Sequence, residues 1–162
     1  MPPVILDIGA QAEPAVLALN NRHAEELSWL EPQRLSFLIG QAFRATRIGE
    51  IDAFLLAFDQ DADYDSPNFL WFRERYTRFV YVDRIAVATR ARVCGLARLL
   101  YADLFDHAVR AGHDLIACEV NSEPPNAASD AFHAAMGFSE AGRGVIGGGK
   151  TVRYFTRLLV PG

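Results

Sequence analysis

Apolar and polar positions change rhythm once within a single stretch, Val80 to Ala111. Its first part carries Val80, Val82, Ile85 and Val87, the β-branched composition of a mostly buried strand. Its second part has the period of a helix. Leu96, Leu99, Leu100, Leu104, Ala108 and Ala111 fall on one stripe, while Arg98, Asp103, Asp106 and Arg110 lie largely off it. Between them sits Arg92-Val93-Cys94-Gly95-Leu96-Ala97, with Gly95 where the helix begins. Gly112 closes the helix as a C-cap. Asp114–Val120 is then predicted to be a strand parallel to the first, because a helical crossover joins them.

Upstream, Val4–Ile8 is predicted as a short strand ended by Gly9. Val16, Leu19, His23, Leu27 and Leu30 predict a helix over Ala15–Leu30, interrupted at Asn20-Asn21. Either the helix breaks there and places Asn21 in a loop between two short helices, or both asparagines are solvated on the helix back. Leu35–Arg47 and Glu50–Phe58 read as two strands of an antiparallel hairpin turned at Ile48-Gly49-Glu50. Asp59 to Arg78 begins with four aspartates in ten residues and becomes aromatic and basic. It lacks the glycine and terminal glutamate of an EF-hand. We read it as a surface loop leading to a short helix with Phe69, Trp71 and Phe72 packed inward; a cap over a site mouth is the other role the pattern leaves open.

Downstream, Pro124-Pro125 stops regular structure, and Asn126–Met136 is predicted helical, ended by Gly137. Gly144 to Thr151 satisfies the Walker A pattern letter for letter. That mechanism needs a helix after the lysine to hold phosphates. Thr151 is followed instead by β-branched and aromatic residues, and only eleven residues remain. The expectation is a Gly-rich hairpin turn between two terminal strands.

Composition narrows the picture. The 162 residues suit one domain spanning residues 1–162. A net charge of −4 argues against nucleic acid as a partner, because phosphate neutralisation needs a basic face. No apolar window approaches a membrane span, and the N-terminus lacks the marks of a signal peptide. Cys94 and Cys118 form neither a metal-ligand spacing nor a disulfide framework, so no metal is expected and a cytoplasmic location is the simplest home. A homodimer through the terminal strands is compatible with the pattern.

The turn at Gly95 has a chemical use. A helix start leaves several backbone N–H groups unpartnered and carries the positive end of the helix dipole. A glycine there lets an anion approach the backbone, and Arg90, Arg92 and Arg98 add positive charge. A strand–turn–helix that only packs, with solvating arginines, fits the local pattern equally well.

Arg92-x-x-Gly95-x-Ala97 after Ile85-x-Val87 resembles the acyl-CoA pyrophosphate motif of the GNAT superfamily of N-acetyltransferases. Asn126-x-x-Ser129-x-x-Phe132-His133-x-x-Met136-Gly137-Phe138 resembles the second signature of that family. The two matches cover about Val80 to Phe138. The resemblance implies an α/β (α+β) fold: a mixed, mostly antiparallel central sheet, one parallel strand pair splayed around the cofactor, and flanking helices. It implies acetyl-CoA as the acyl donor. Ile85, Ala86 and Val87 would meet the pantetheine arm, and Arg92, Val93, Cys94, Gly95, Leu96, Ala97 and Arg98 the pyrophosphate. Asn126, Ser129 and Phe132 would complete the cofactor site, with Asn21 and Tyr81 on the acceptor side.

An amine attacking a thioester must first lose a proton, and the leaving thiolate must be protonated or stabilised. His133 stands where many members carry a tyrosine acid. Glu119 is the first choice of base, placed much as a catalytic glutamate is in ribosomal-protein N-terminal acetyltransferases, and Asp83 is the second. The implied activity is acetyl transfer to a primary amine of a small molecule or amino-group acceptor. A non-catalytic acyl-CoA-binding or regulatory module on the same fold is the alternative.

Overall fold

The computed structural model describes residues 3–122 and 127–159, apart from the side chain of Val93. Seven strands form one sheet in the order β1-β2-β3-β4-β5-β7-β6. They are β1 (Ile5–Asp7), β2 (Arg44–Ile48), β3 (Ala53–Asp59), β4 (Val80–Val87), β5 (Leu115–Asn121), β6 (Ser139–Ile146) and β7 (Lys150–Leu158). Every pairing is antiparallel except β4 with β5, as the helical crossover between those strands requires. The helices are α1 (Glu13–Arg22), α2 (Ala24–Leu27), α3 (Pro32–Gln41), α4 (Pro67–Arg75), α5 (Leu96–Arg110) and α6 (Ala127–Ala135).

The sheet has two apolar faces, and the period-2 alternation of β3 divides them. Phe54, Leu56 and Phe58 join Val16, Leu35 and Phe72 of α1, α3 and α4 in one core. Ala53, Leu55 and Ala57 join Leu100 and Leu104 of α5 in the other. In β4 that alternation reverses partway. Tyr81 faces the first core and Val82 the second, yet Ala86 faces the first and Ile85 the second. The cause is a β-bulge. Leu56 pairs with Arg84 and Ala57 with Val82, so Asp83 is an extra residue with no partner position on β3.

Several expectations need correction. Leu35–Gln41 is helix rather than strand: Pro32 occupies the first turn, where its missing N–H costs nothing, and Leu35 and Leu38 bury one stripe. Only Arg44–Ile48 of the predicted strand Leu35–Arg47 pairs as one, extending to Ile48. The helix predicted over Ala15–Leu30 breaks at His23, one turn's edge beyond Asn20-Asn21, and Asn20 is fully buried rather than solvated. On α5 the buried stripe takes in Tyr101, while Leu99 and Ala111 are exposed. Trp71 is only half-buried. Its indole stacks on Tyr154 at 4.1 Å, over the position of Gly142, where an added Cβ would lie 2.6 Å from the ring.

β3 begins at Ala53 rather than Glu50, because residues 49–52 form the turn, and the other elements form close to where expected. Gly112 and Gly137 adopt φ of 86° and 91° at the ends of α5 and α6, a conformation that favours glycine. The glycines after Ile146 turn the β6–β7 hairpin, and Lys150 opens β7, so the Walker A lettering has no helix behind it. Pro124-Pro125 and Asn126 lie outside the described residues. Among the described residues, no helix is long and apolar enough to cross a membrane.

Phe72, with no exposed surface, contacts the rings of Trp71, Tyr76, Phe79, Tyr81 and Tyr154. Phe72→Ala is expected to destabilise the fold by about 3–5 kcal/mol, read by urea unfolding.

Candidate active site

The ladder between β4 and β5 has two pairs, Val80↔Ile116 and Tyr81↔Ala117. Beyond them β4 continues with β3 to Val87 and β5 with β7 to Asn121, so the two strands part. A cavity of about 400 Å³ opens in the gap, walled by Asp83, Arg84 and Ile85 on one side and Cys118 and Glu119 on the other. Tyr101 of α5 and Ser129 and His133 of α6 line it as well, and Glu25 and Glu26 of α2 stand at its mouth. A second hollow of about 270 Å³ shares Glu26, Leu27 and Ile85 with the first and runs past Ala86 and Val87 to Arg92. The two hollows adjoin along Glu26, Leu27 and Ile85 and reach from Glu119 to Arg92 in the turn before α5.

Glu119 points to the α4 face of the sheet. The hydroxyl of Tyr81 donates to its Oε2 at 2.6 Å, and the Asn68 side chain hydrogen-bonds the same carboxyl. Tyr154, opposite Glu119 in the β5–β7 register, donates its hydroxyl to Asn68 Oδ1 at 3.0 Å. Burial pushes the Glu119 pKa up to about 8; the Tyr81 hydrogen bond opposes that rise and the nearby charge of Asp83 adds to it.

The bulge turns Asp83 and Arg84 toward the same face, although adjacent strand residues ordinarily point apart. Arg84 Nε donates to Asp83 Oδ2 at 2.8 Å, with both side chains almost fully buried. The Tyr64 hydroxyl donates to the other oxygen at 2.7 Å. Arg84 also donates to Asn20 Oδ1 at 2.9 Å, and Asn20 donates to the carbonyl of Ser28. Asn21 exchanges two hydrogen bonds of 2.9 Å with the backbone of Leu30. These bonds latch the segment after α2, in which Trp29 lies exposed between Ser28 and Leu30.

On the opposite face, His133 Nδ1 lies 2.7 Å from the carbonyl of Ser129, and its Nε2 lies 3.2 Å from the Tyr101 hydroxyl. Burial lowers the pKa of this imidazole, against the raising effects of the Ser129 carbonyl and Asp130. Burial pushes the Tyr101 hydroxyl and the Cys118 thiol well up.

At the far end of the groove, a 3-10 turn over Thr89–Cys94 delivers Gly95 at φ 70°, ψ 24° as the cap of α5. Among the described residues no side chain caps this helix, and a Cβ added at Gly95 would meet none of their atoms within 4 Å. Open space therefore adjoins backbone donors that lack side-chain partners, the chemistry a diphosphate requires. Arg92 and Arg98 are exposed beside it, while Arg90 pairs with Asp52 at 2.8 Å. These residues fit coenzyme A.

The structure brings together on the groove Asp83, Ile85, Ala86, Val87, Arg92, Glu119, Ser129 and His133. Phe132 is placed behind it, against Tyr101 at 5.5 Å. Tyr81 is fully buried beneath Glu119 rather than on the acceptor side. Asn21 spends its side chain on Leu30. Asn126 lies outside the described residues. Sequence reasoning missed Asn20, Tyr64, Asn68, Tyr101 and Tyr154 as site residues. Tyr64 and Asn68 come from the acidic and aromatic segment, whose role the pattern left open.

The family model described as Acetyltransferase (GNAT) family matches residues 18–138. No curated protein sequence matches the chain. Among solved structures, the ribosomal-protein-S18-alanine N-acetyltransferase from Escherichia coli superposes with a TM-score of 0.71 at 17% identity, covering 97% of this chain and 94% of that one. The Salmonella typhimurium protein yncA, solved with its cofactor acetyl-CoA, gives 0.71 at 19% identity over 99% and 95%. A chain of the NatC complex bound to Gag peptide and CoA gives 0.76 at 16% identity over 99% and 100%. At these identities the likeness is one of fold.

The Glu119 pKa lies above its ordinary value of 4.5, so the fold favours the neutral carboxyl. The stability it contributes is full below pH 4.5 and is lost as pH rises to about 8. Glu119→Gln removes that titration. Urea midpoints are expected to show the wild type falling relative to the variant by roughly 2–5 kcal/mol between pH 5 and pH 9.

Proposed function

The chain belongs to the Acetyltransferase (GNAT) family, and from that premise we propose that it is an acetyl-CoA-dependent N-acetyltransferase acting on a primary amine. The observation that carries this reading is the pair of adjoining hollows along β4, with Arg92 in the turn before α5 at one end and a buried carboxyl near pKa 8 at the other. A strand edge freed by the parting of β4 and β5 suits an extended pantetheine arm alongside Ile85, Ala86 and Val87. The start of α5, with Arg92 and Arg98, suits the diphosphate.

When bound, acetyl-CoA supplies a thioester carbonyl. Glu119 takes the proton of the attacking amine, and its raised pKa suits it to that work near neutral pH. Backbone amides of β4 near the bulge serve the developing oxyanion. Asp83 has one oxygen held by Tyr64 and the other by Arg84, so the base role goes to Glu119. His133, with the Tyr101 hydroxyl 3.2 Å from its Nε2, lines the side of the cavity opposite Glu119. Direct attack needs no acyl-enzyme.

Glu25 and Glu26 at the mouth, with Asp83 and Glu119 inside, suit a cationic acceptor. The named activities of the structural neighbours put peptide amino termini beside small amines in any screen. The two free cysteines suit a reducing compartment such as the cytoplasm.

Two measurements test this. Calorimetry is expected to show coenzyme A thioesters binding the wild type, and an amine and peptide panel to release thiol. Glu119→Gln is expected to lower kcat by about 10²–10⁴-fold while the Kd for acetyl-CoA stays within about twofold. In the wild type kcat/KM should rise with pH through about 8, the limb that ionises Glu119, and Glu119→Gln should lose that limb. An absence of thioester binding overturns the reading.

A further inference from the structure

We propose that the hydroxyl of Tyr101, rather than the imidazole of His133, meets the sulfur of the departing thiolate, with His133 acting through it. This rests on the acetyl-transfer reading. The three hydrogen-bond contacts of His133 locate its proton. The Ser129 carbonyl 2.7 Å from Nδ1 can only accept, and Ser129 Oγ at 3.3 Å can accept as well, so Nδ1 carries the hydrogen. The lowered pKa keeps the ring singly protonated at neutral pH, which leaves Nε2 a bare acceptor. The 3.2 Å contact to Tyr101 is then the phenol donating to Nε2. An imidazole in this state has no proton to give from the side that faces Tyr101. Its one N–H is spent inside α6.

Tyr101 lines the same cavity as Glu119, Cys118 and His133. Its ring is fixed by edge contacts to Phe105, Phe138 and His133 and by Phe132. Turning the C–O bond alone moves its hydrogen from Nε2 toward the cavity. Burial raises the phenol, so it remains protonated at working pH. The same burial raises the Cys118 thiol in the cavity wall, and a coenzyme thiolate emerging there meets the same environment. Donor and acceptor are therefore shifted in the same direction.

The step balances within the protein and its substrates. The amine nitrogen bonds to the carbonyl carbon and gives its proton to Glu119. The C–S bond breaks with its electron pair on sulfur, and sulfur takes the phenolic proton. The proton held by Glu119 returns to the phenolate by way of water. No outside oxidant or reductant enters.

The test is a double-mutant cycle read by thiol release, with KM for acetyl-CoA and thermal midpoints measured in parallel. Tyr101→Phe is expected to lower kcat about 100-fold with KM within about twofold. His133→Gln, which keeps an acceptor for the phenol, should retain most of the rate, and His133→Leu should lose about 10-fold. Tyr101→Phe combined with His133→Leu should be no slower than Tyr101→Phe alone, because His133 has no route except through Tyr101. A Tyr101→Phe enzyme within about threefold of wild type overturns the proposal. So does a double variant slower by the full His133→Leu factor. A rate loss matched by a fallen midpoint and a raised KM marks a packing role and overturns it too. Wild type that releases no thiol with any amine overturns the acetyl-transfer reading itself, before any variant is compared.

Discussion

One extra residue in β4 governs the site. The bulge at Asp83 sends two neighbouring charged side chains to a single face, where they pair with almost no exposure to water. A buried ion pair repays its desolvation only when its remaining donors and acceptors are also satisfied. Tyr64 and Asn20 do this, one from the segment before α4 and the other from α1. The same bonds therefore fix two parts of the chain against β4. Through Asn20 and Ser28 they also hold the segment that carries α2 across the groove.

The parting of β4 from β5 gives the cavity walls from both faces of the sheet. Burial acts alike on four groups there, raising Glu119, Tyr101 and Cys118 and lowering His133. Each is pushed toward its neutral form. A cationic amine entering reverses the sign for Glu119, since an opposite charge nearby favours the carboxylate. Tyr81 and Asn68 stabilise the carboxylate that results.

The strand–turn–helix of Val80–Ala111 was legible because its two periods are contiguous and a glycine marks their junction. The turn that leads into α5 was legible for the same reason. Pro32 was a helix-start signal available in the sequence, but the apolar run after it also fits a strand. The bulge leaves no mark in the sequence: Val82, Asp83 and Arg84 look like ordinary alternation, and only the partner strand reveals the slip. The network around Glu119 was hidden by distance along the chain. Asn68 and Tyr154 are 86 residues apart, and Tyr101 and His133 are 32 apart. No local spacing encodes such pairs.

A four-residue helix has too few internal hydrogen bonds to stand alone. What keeps α2 above the groove is the side-chain latch that follows it, and Trp29 is built into that latch with its indole in solvent. The chain has two tryptophans, and Trp71 is stacked on Tyr154 well away from that segment. The protein thus carries its own fluorophore on the roof of its site, and changes in the emission of Trp29 would follow the roof without any attached label.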